Sequence, residues 1–328
     1  MCSWRRYYAF QEVPVNIQKQ QAMRNVVLGL APLSLAAIYF FGWRFIAVLA
    51  VVAAAGLLSE YVMSRKYGLK MTESLFVSVM LYALSLPPTV PLWIAALGII
   101  FGIVFGKMVF GGFGRNIFNP AITARAFVYI SFGGPLTGNF LPAVPGNVNW
   151  FPGGFGQWLS PVDSVSNATP LVTGNGNIWE MVAGYIPGSF GETSVILILI
   201  GGIFIIWKKA ANWRFTLSAV IGFLAMQTIL WVSGVEAAYN PLYALVGGSF
   251  LLGAFFMITD PVSASQTTDG GRWIYGALFG VLTVLIRTFS IWPEGITFAI
   301  LLSNMFAPLL DYYLKERKKR LKARAKGA

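Results

Sequence analysis

Ten apolar segments, roughly residues 25–42, 44–63, 74–89, 91–107, 121–134, 193–207, 215–234, 241–259, 273–291 and 295–314, constrain what this chain can become. A helix of ~20 apolar residues crosses a bilayer, and shorter ones fit where they are re-entrant or enclosed by protein. Only 11% of the residues are charged and 56% are hydrophobic, whereas a soluble domain carries about 25% charge. With so few charges, the apolar surface must face lipid. The expectation is an all-α integral membrane protein, a single membrane domain over 1–328, with about ten transmembrane helices. The first ~20 residues are polar and basic with no apolar h-region, so the first hydrophobic segment reads as a retained span.

The charges orient the spans. A net charge of +12 would suit a nucleic-acid partner in a soluble protein; in a membrane protein, basic cytoplasmic loops account for it. With the N-terminus inside, the cytoplasmic stretches collect 22 of the 24 lysines and arginines, Lys107 and Arg125 among them, and leave only Arg44 and Arg287 outside. This asymmetry predicts N-in and C-in, with 1–24 and the basic tail 315–328 cytoplasmic. The longest loop, 135–192, then lies on the outer face. A loop of that length is usually functional or disordered. Its aromatics (Phe140, Trp150, Phe151, Phe155 and Trp158) argue against disorder; they either rest at the headgroups or wall a planar ligand.

A faint internal repeat adds to this. Residues 93–107, WIAALGIIFGIVFGK, match 273–287, WIYGALFGVLTVLIR, and each copy is followed by an Asn–Pro pair, Asn119-Pro120 and Asn304 to Pro308. The copies run in opposite directions on the predicted topology. Inverted repeats with broken helices place ligand sites near the membrane midplane; the alternative is chance similarity between two apolar helices.

Cys2 is the only cysteine and histidine is absent, which excludes an iron–sulfur cluster and the usual haem and zinc ligand sets. Without a histidine base, Thr169 in SVSNATPL (164–171) is not the nucleophile of a hydrolase triad. It can accept a group delivered by another enzyme: Ser166 and Ala168 leave room, and Pro170 and Leu171 stiffen and anchor the chain. The apparent glycosylation sequon beginning at Asn167 carries a proline directly after Thr169, which makes it a poor acceptor.

The run Asp163-Ser-Val-Ser166-Asn-Ala168-Thr169-Pro170-Leu171 resembles the D-x-x-S-x-A-T-P-L flavinylation motif. That motif belongs to the D subunit of the Rnf electron-transport complex and the related B subunit of the sodium-pumping NADH:quinone oxidoreductase. GGFGRNIFNPAITARAF (111–127), GAFFMITDPVSASQT (253–267) and 271–313 are similar to the same family, in order along nearly the whole chain. The resemblance implies FMN joined to Thr169 through a phosphodiester, installed from FAD by a flavin transferase on the outer face. Asp163, Ser166, Ala168, Pro170 and Leu171 would form its seat. It also implies a bacterial or archaeal cytoplasmic (inner) membrane, further membrane and cytoplasmic subunits as partners, and Na⁺ or H⁺ transport driven by one-electron flavin chemistry. A second, non-covalent flavin (riboflavin) is known within the family. The chain lacks a recognisable ferredoxin- or NAD-binding module, so it is read as a subunit that is not catalytic alone.

Length and the short N-terminus favour the Rnf-type subunit; the SASQT and PEG segments look as much like the quinone-linked one. A cofactor-free secondary transporter or channel is the reading from another class. Three further features stay open. The glycine-rich GGFGRN is either a tight turn or cavity-lining backbone, with Asn116 and Asn119 offering amides to a flavin ring or an ion. Asp260 caps the next segment, pairs with Arg272, or joins Ser263, Ser265 and Thr267 around Na⁺. Arg287 pairs with Glu294 or neutralises a flavin phosphate.

Overall fold

The computed structural model describes residues 17–136, 178–184, 188–192, 194–265, 268–290 and 295–326. Among them the structure is helical, with no strand beyond an isolated bridge between Gln18 and Thr72. In chain order the main helices are α1 (Gln21–Phe41), α2 (Trp43–Tyr67), α3 (Ser74–Ser85), α4 (Leu92–Ile103), α5 (Pro120–Ser131), α6 (Val195–Trp207), α7 (Trp213–Val232), α8 (Asp269–Phe289) and α9 (Ile296–Lys326). Five of these, α1, α2, α7, α8 and α9, are long and apolar enough to cross a membrane. Each of the ten apolar segments coincides with helix, but several are short or broken. Segment 241–259 divides into Pro241–Val246, Phe250–Leu252 and a π turn, Gly253–Met257. A second π turn, Val104–Met108, prolongs α4.

The breaks follow from local chemistry. Pro87 and Pro88 lack N–H groups and fall directly after α3. Gly42, at φ 63° and ψ −149°, turns the chain between α1 and α2 in one residue, a conformation that L side chains avoid. Arg44, buried at 6% exposure, then closes the break after α3 by donating to the carbonyls of Pro88 (3.3 Å) and Val90 (2.6 Å). Backbone carbonyls freed inside a bilayer need such donors.

Both copies of the sequence repeat are helices gripped by matching neighbours. α4 packs between α2 and α5, and α8 packs between α7 and α9. Small residues let these backbones meet, as they do where no hydrophobic drive separates helix from lipid. A Cβ added at Gly102 would lie 2.4 Å from the Pro120 carbonyl oxygen, and one at Gly280 would lie 2.2 Å from that of Ala219.

Contacts also sort the helix ends onto two sides. Gln18 pairs through its backbone with Met71 and Glu73, so α1 and α2 return the chain to its starting side. Lys107 reaches Thr72 and Ser74 there, and Asn119 reaches Met257. On the opposite side Phe190 packs on Phe41 and Phe45, and Arg287 donates to the Ala244 carbonyl. The described ends of the 135–192 loop belong to that second side: Phe132 meets Trp93 beside the α3–α4 break, and Phe190 and Gly191 donate to the carbonyls of Leu86 and Leu84.

Candidate functional site

The two halves of the chain converge on a narrow cleft with about 40 Å³ of enclosed space, room for a few waters. The first half contributes Lys107 from the π turn after α4, Phe113 and Asn116 from the GGFGRN turn, and Asn119 from the start of α5. The second half contributes Phe256 from the other π turn, followed by Thr259 and Asp260. Met23, Val26, Val77 and Leu81 supply apolar wall. Both π turns thus end at one cavity, and functional sites are where such irregular helical turns concentrate in proteins.

The glycine-rich segment is a turn and a cavity wall together. Gly111, Gly112 and Gly114 all sit at positive φ (102°, 88° and 90°), which folds the chain back sharply enough to present Phe113 and Asn116. Asn116 donates its amide to the Phe118 carbonyl at 3.0 Å, and among the described residues its Oδ1 has no partner. Asn119 is committed twice: its Oδ1 caps α5 by accepting from Ala121 N at 3.0 Å, and its Nδ2 donates to the Met257 carbonyl at 3.4 Å. Asp260 shapes its own turn, accepting from Ser263 Oγ at 2.6 Å and from the backbone of Val262 and Ser263 at 3.3 Å. Arg272 meets Asp269 at 2.7 Å. Thr267, Glu294 and the motif residues Asp163, Ser166, Ala168, Thr169, Pro170 and Leu171 lie outside the described residues.

Behind the cleft lies an ion pair that the pattern of spans hid. Lys107 Nζ sits 2.7 and 2.8 Å from the two oxygens of Glu60 on α2, with Thr72 Oγ1 at 2.9 Å and Ser74 Oγ at 3.1 Å. The side chains are 2% and 0% exposed. Arg125 pairs with Glu192 at 3.8 Å, both buried, and Ser189 Oγ donates to the same carboxylate at 3.0 Å. Lys107 and Arg125, placed by the charge pattern on cytoplasmic stretches, are therefore interior residues. The available signal was a charge inside an apolar segment, a functional candidate in any membrane protein. Arg287 donates to the Ala244 carbonyl at 3.0 Å and lies 5.6 Å from the centre of the Phe223 ring; Glu294, its expected ion-pair partner, lies outside the described residues.

A multi-pass helical bundle whose broken helices meet at a mostly apolar, two-sided cleft defines an all-α integral membrane protein. More specifically, the chain belongs to the NQR2, RnfD, RnfE family, whose profile matches residues 13–320. It is 42% identical over 253 residues to the B subunit of the Na(+)-translocating NADH-quinone reductase of Pseudomonas aeruginosa (strain LESB58), covering 75% of this chain and 60% of that one. The corresponding B subunit of Neisseria meningitidis serogroup B (strain ATCC BAA-335 / MC58) is 39% identical over 98% of this chain and 77% of its own length. That of Haemophilus influenzae (strain PittEE) is 40% identical over 86% and 70%. The chain spans about 60% of the length of the first of these relatives.

Proposed function

We propose that this chain is the flavin-carrying membrane subunit of an ion-translocating oxidoreductase of the NADH:quinone reductase type, acting with other subunits. The carrying observation is the family match over residues 13–320, together with the run Asp163-Ser-Val-Ser166-Asn-Ala168-Thr169-Pro170-Leu171 that resembles the flavinylation motif. The three relatives are B subunits of Na(+)-translocating NADH-quinone reductases, which favours that reading over the Rnf-type complex. The SASQT and PEG segments are in keeping with the quinone-linked branch. Na⁺ is accordingly the favoured coupling ion.

Two flavins enter this reading. The first is FMN held by a phosphodiester on Thr169, in the loop whose described ends reach the side opposite Lys107; the cation asymmetry makes that side the outer one. Bound there, FMN supplies one-electron transfer. The second is a non-covalent flavin such as riboflavin, which the family resemblance implies and for which the enclosed cleft, at about 40 Å³, has no room. Lys107 and Glu60 neutralise each other beside the cleft, so the pair adds no net charge to it.

The test is in-gel flavin fluorescence after denaturation, on the chain co-expressed with its flavin transferase. A covalent band is expected for the wild type and none for Thr169→Val, with the membrane fold intact. The peptide spanning 164–171 should gain the mass of one FMN less water. A persisting band in the Thr169 variant would move the attachment elsewhere. No band in the wild type would return the chain to the cofactor-free transporter class.

A further inference from the structure

The last helix outlasts the bilayer it crosses. α9 runs for 31 residues, ~46 Å at 1.5 Å per residue, against ~30 Å of hydrocarbon. Its apolar stretch, 296–314, takes up about 28 Å of that length. Tyr312 and Tyr313, 64% and 65% exposed, close the stretch at the level where tyrosine meets lipid headgroups. The next turns carry Arg317, Lys318 and Arg320, all exposed. The start of α8 lies alongside: a Cβ added at Gly271 would be 3.4 Å from Leu314 Cδ1.

Two open grooves flank this part of α9. One, of about 430 Å³, lies between the start of α8 and the α9 face made by Leu314, Arg317, Lys318 and Leu321. The other, of about 420 Å³, is lined by Tyr312, Tyr313, Glu316, Arg317, Arg320 and Leu321. Arg317 and Leu321 belong to both, and each groove falls within the ~300–1,000 Å³ range of small-molecule sites. The carboxylates nearby are already engaged. Glu316 meets Lys319 at 3.0 Å, and Asp269 meets Arg272 at 2.7 Å and Arg214 at 3.4 Å. Among the described residues Arg317, Lys318 and Arg320 have no carboxylate partner. Leu309, Tyr313, Arg317 and Arg320 follow one another at steps of three or four residues, which places them on one flank of the helix. Apolar, aromatic and cationic groups therefore succeed one another along that flank in the order in which a phospholipid presents chain, glycerol and phosphate. A soluble acidic protein would match the cations but not the apolar row of Met305, Phe306 and Leu309 above them, which is exposed.

We infer that the 312–321 segment of α9 is a binding site for an anionic phospholipid. Arg317 and Arg320 hold the phosphate diester through their planar guanidinium forks, Lys318 adds a third cation, and Tyr312 and Tyr313 pack at the glycerol level. Near a membrane surface each such cation is worth about a fivefold change in affinity.

The experiment titrates the full complex, in detergent and stripped of loosely held lipid, with dioleoyl-phosphatidylglycerol or dioleoyl-phosphatidylcholine, and counts bound lipid by native mass spectrometry. Phosphatidylglycerol should bind the wild type more tightly than phosphatidylcholine. Arg317→Gln should weaken phosphatidylglycerol about fivefold, and Arg317→Gln/Arg320→Gln about 25-fold. Phosphatidylcholine binding and Tm should not change, since both arginines are exposed. The control Lys315→Gln/Lys322→Gln removes the same charge from the same helix outside both grooves, and should weaken binding no more than about twofold. An equal loss in that control would reduce the effect to overall charge and overturn the site. Wild-type phosphatidylglycerol binding in the double arginine variant would overturn it too; loss of a cytoplasmic subunit from that variant on gel filtration would then assign the face to a protein partner. Millimolar inorganic phosphate should leave the lipid in place, because the chains are held as well as the phosphate. Displacement by phosphate alone would make the site one for the free anion and refute the lipid.

Discussion

Replacing Lys107 by Met should be among the most damaging single substitutions in this chain. Lys107 and Glu60 are within 2.7 Å and essentially without solvent contact. At that distance, with an effective dielectric constant of about 20, their attraction is about 6 kcal/mol, most of it offset by desolvating both groups. Lys107→Met removes the attraction but leaves the Glu60 carboxylate buried, with only the backbone and hydroxyl of Thr72, at 3.1 and 3.4 Å, to stabilise it. Losing one partner of such a pair costs about 3–5 kcal/mol. At ~2–4 °C per kcal/mol, Tm should fall by roughly 6–20 °C. The double variant Glu60→Leu/Lys107→Met, which buries no uncompensated charge, should recover most of that loss. The assay is thermal unfolding of the purified protein in one detergent, followed by tryptophan fluorescence, over the full double-mutant cycle. A single variant within about 1 kcal/mol of the wild type, or a double variant no better than the single, would refute the reasoning that the pair is buried and mutually dependent.

Other substitutions test neighbouring features. Arg44→Met takes the donors from the Pro88 and Val90 carbonyls and should cost about 3–6 kcal/mol, at ~1.5–3 kcal/mol for each bond to a charged group, read in the same melts. Gly280→Ala places a Cβ 2.2 Å from the Ala219 oxygen and should destabilise by at least ~1–3 kcal/mol through overpacking, whereas Gly270→Ala meets nothing within 4 Å and should be neutral or stabilising by about 0.4–1 kcal/mol. Glu73, held by the Arg24 guanidinium and by Gln20 N, has its carboxyl below the usual range. A depressed carboxyl contributes stability that is present above its unfolded pKa and lost as pH falls through the folded one. The tie between α1 and the 69–73 turn should therefore loosen only in acid, below about pH 4, and Glu73→Gln should remove that acid dependence in hydrogen-exchange measurements at residues 18–24.

The sequence was most informative where physics acts along the chain. Among the described residues each of the ten apolar segments is helical, whole or in pieces, because backbone groups must bond within a segment wherever lipid replaces water. The Asn–Pro pair at 119–120 marked a helix start, with Asn119 at the cap and Pro120 at the first position. The faint repeat around Trp93 and Trp273 became two helices with matching neighbours. Length was less informative. The 241–259 segment looks like a span, yet Gly247, Gly248 and the π turn divide it, and apolar composition alone does not distinguish a span from a broken helix.

What the sequence by itself determined is a helical, multi-pass membrane protein and its family; Thr169 is the attachment point that its motif leads one to expect. Only the tertiary structure decided which distant groups share a site. Asn116 and Asp260, 144 positions apart in the chain, face one cleft because α4, α5 and the Gly253–Met257 turn all end there. Lys107 is neutralised by Glu60 rather than by solvent, and Asn304 closes on Asn119 across the two halves. Periodicity and composition record how each segment meets lipid or water. They do not record which helix end meets which, since that follows from close backbone contacts at Gly102, Gly280 and Gly201 and from buried partners that no local pattern specifies.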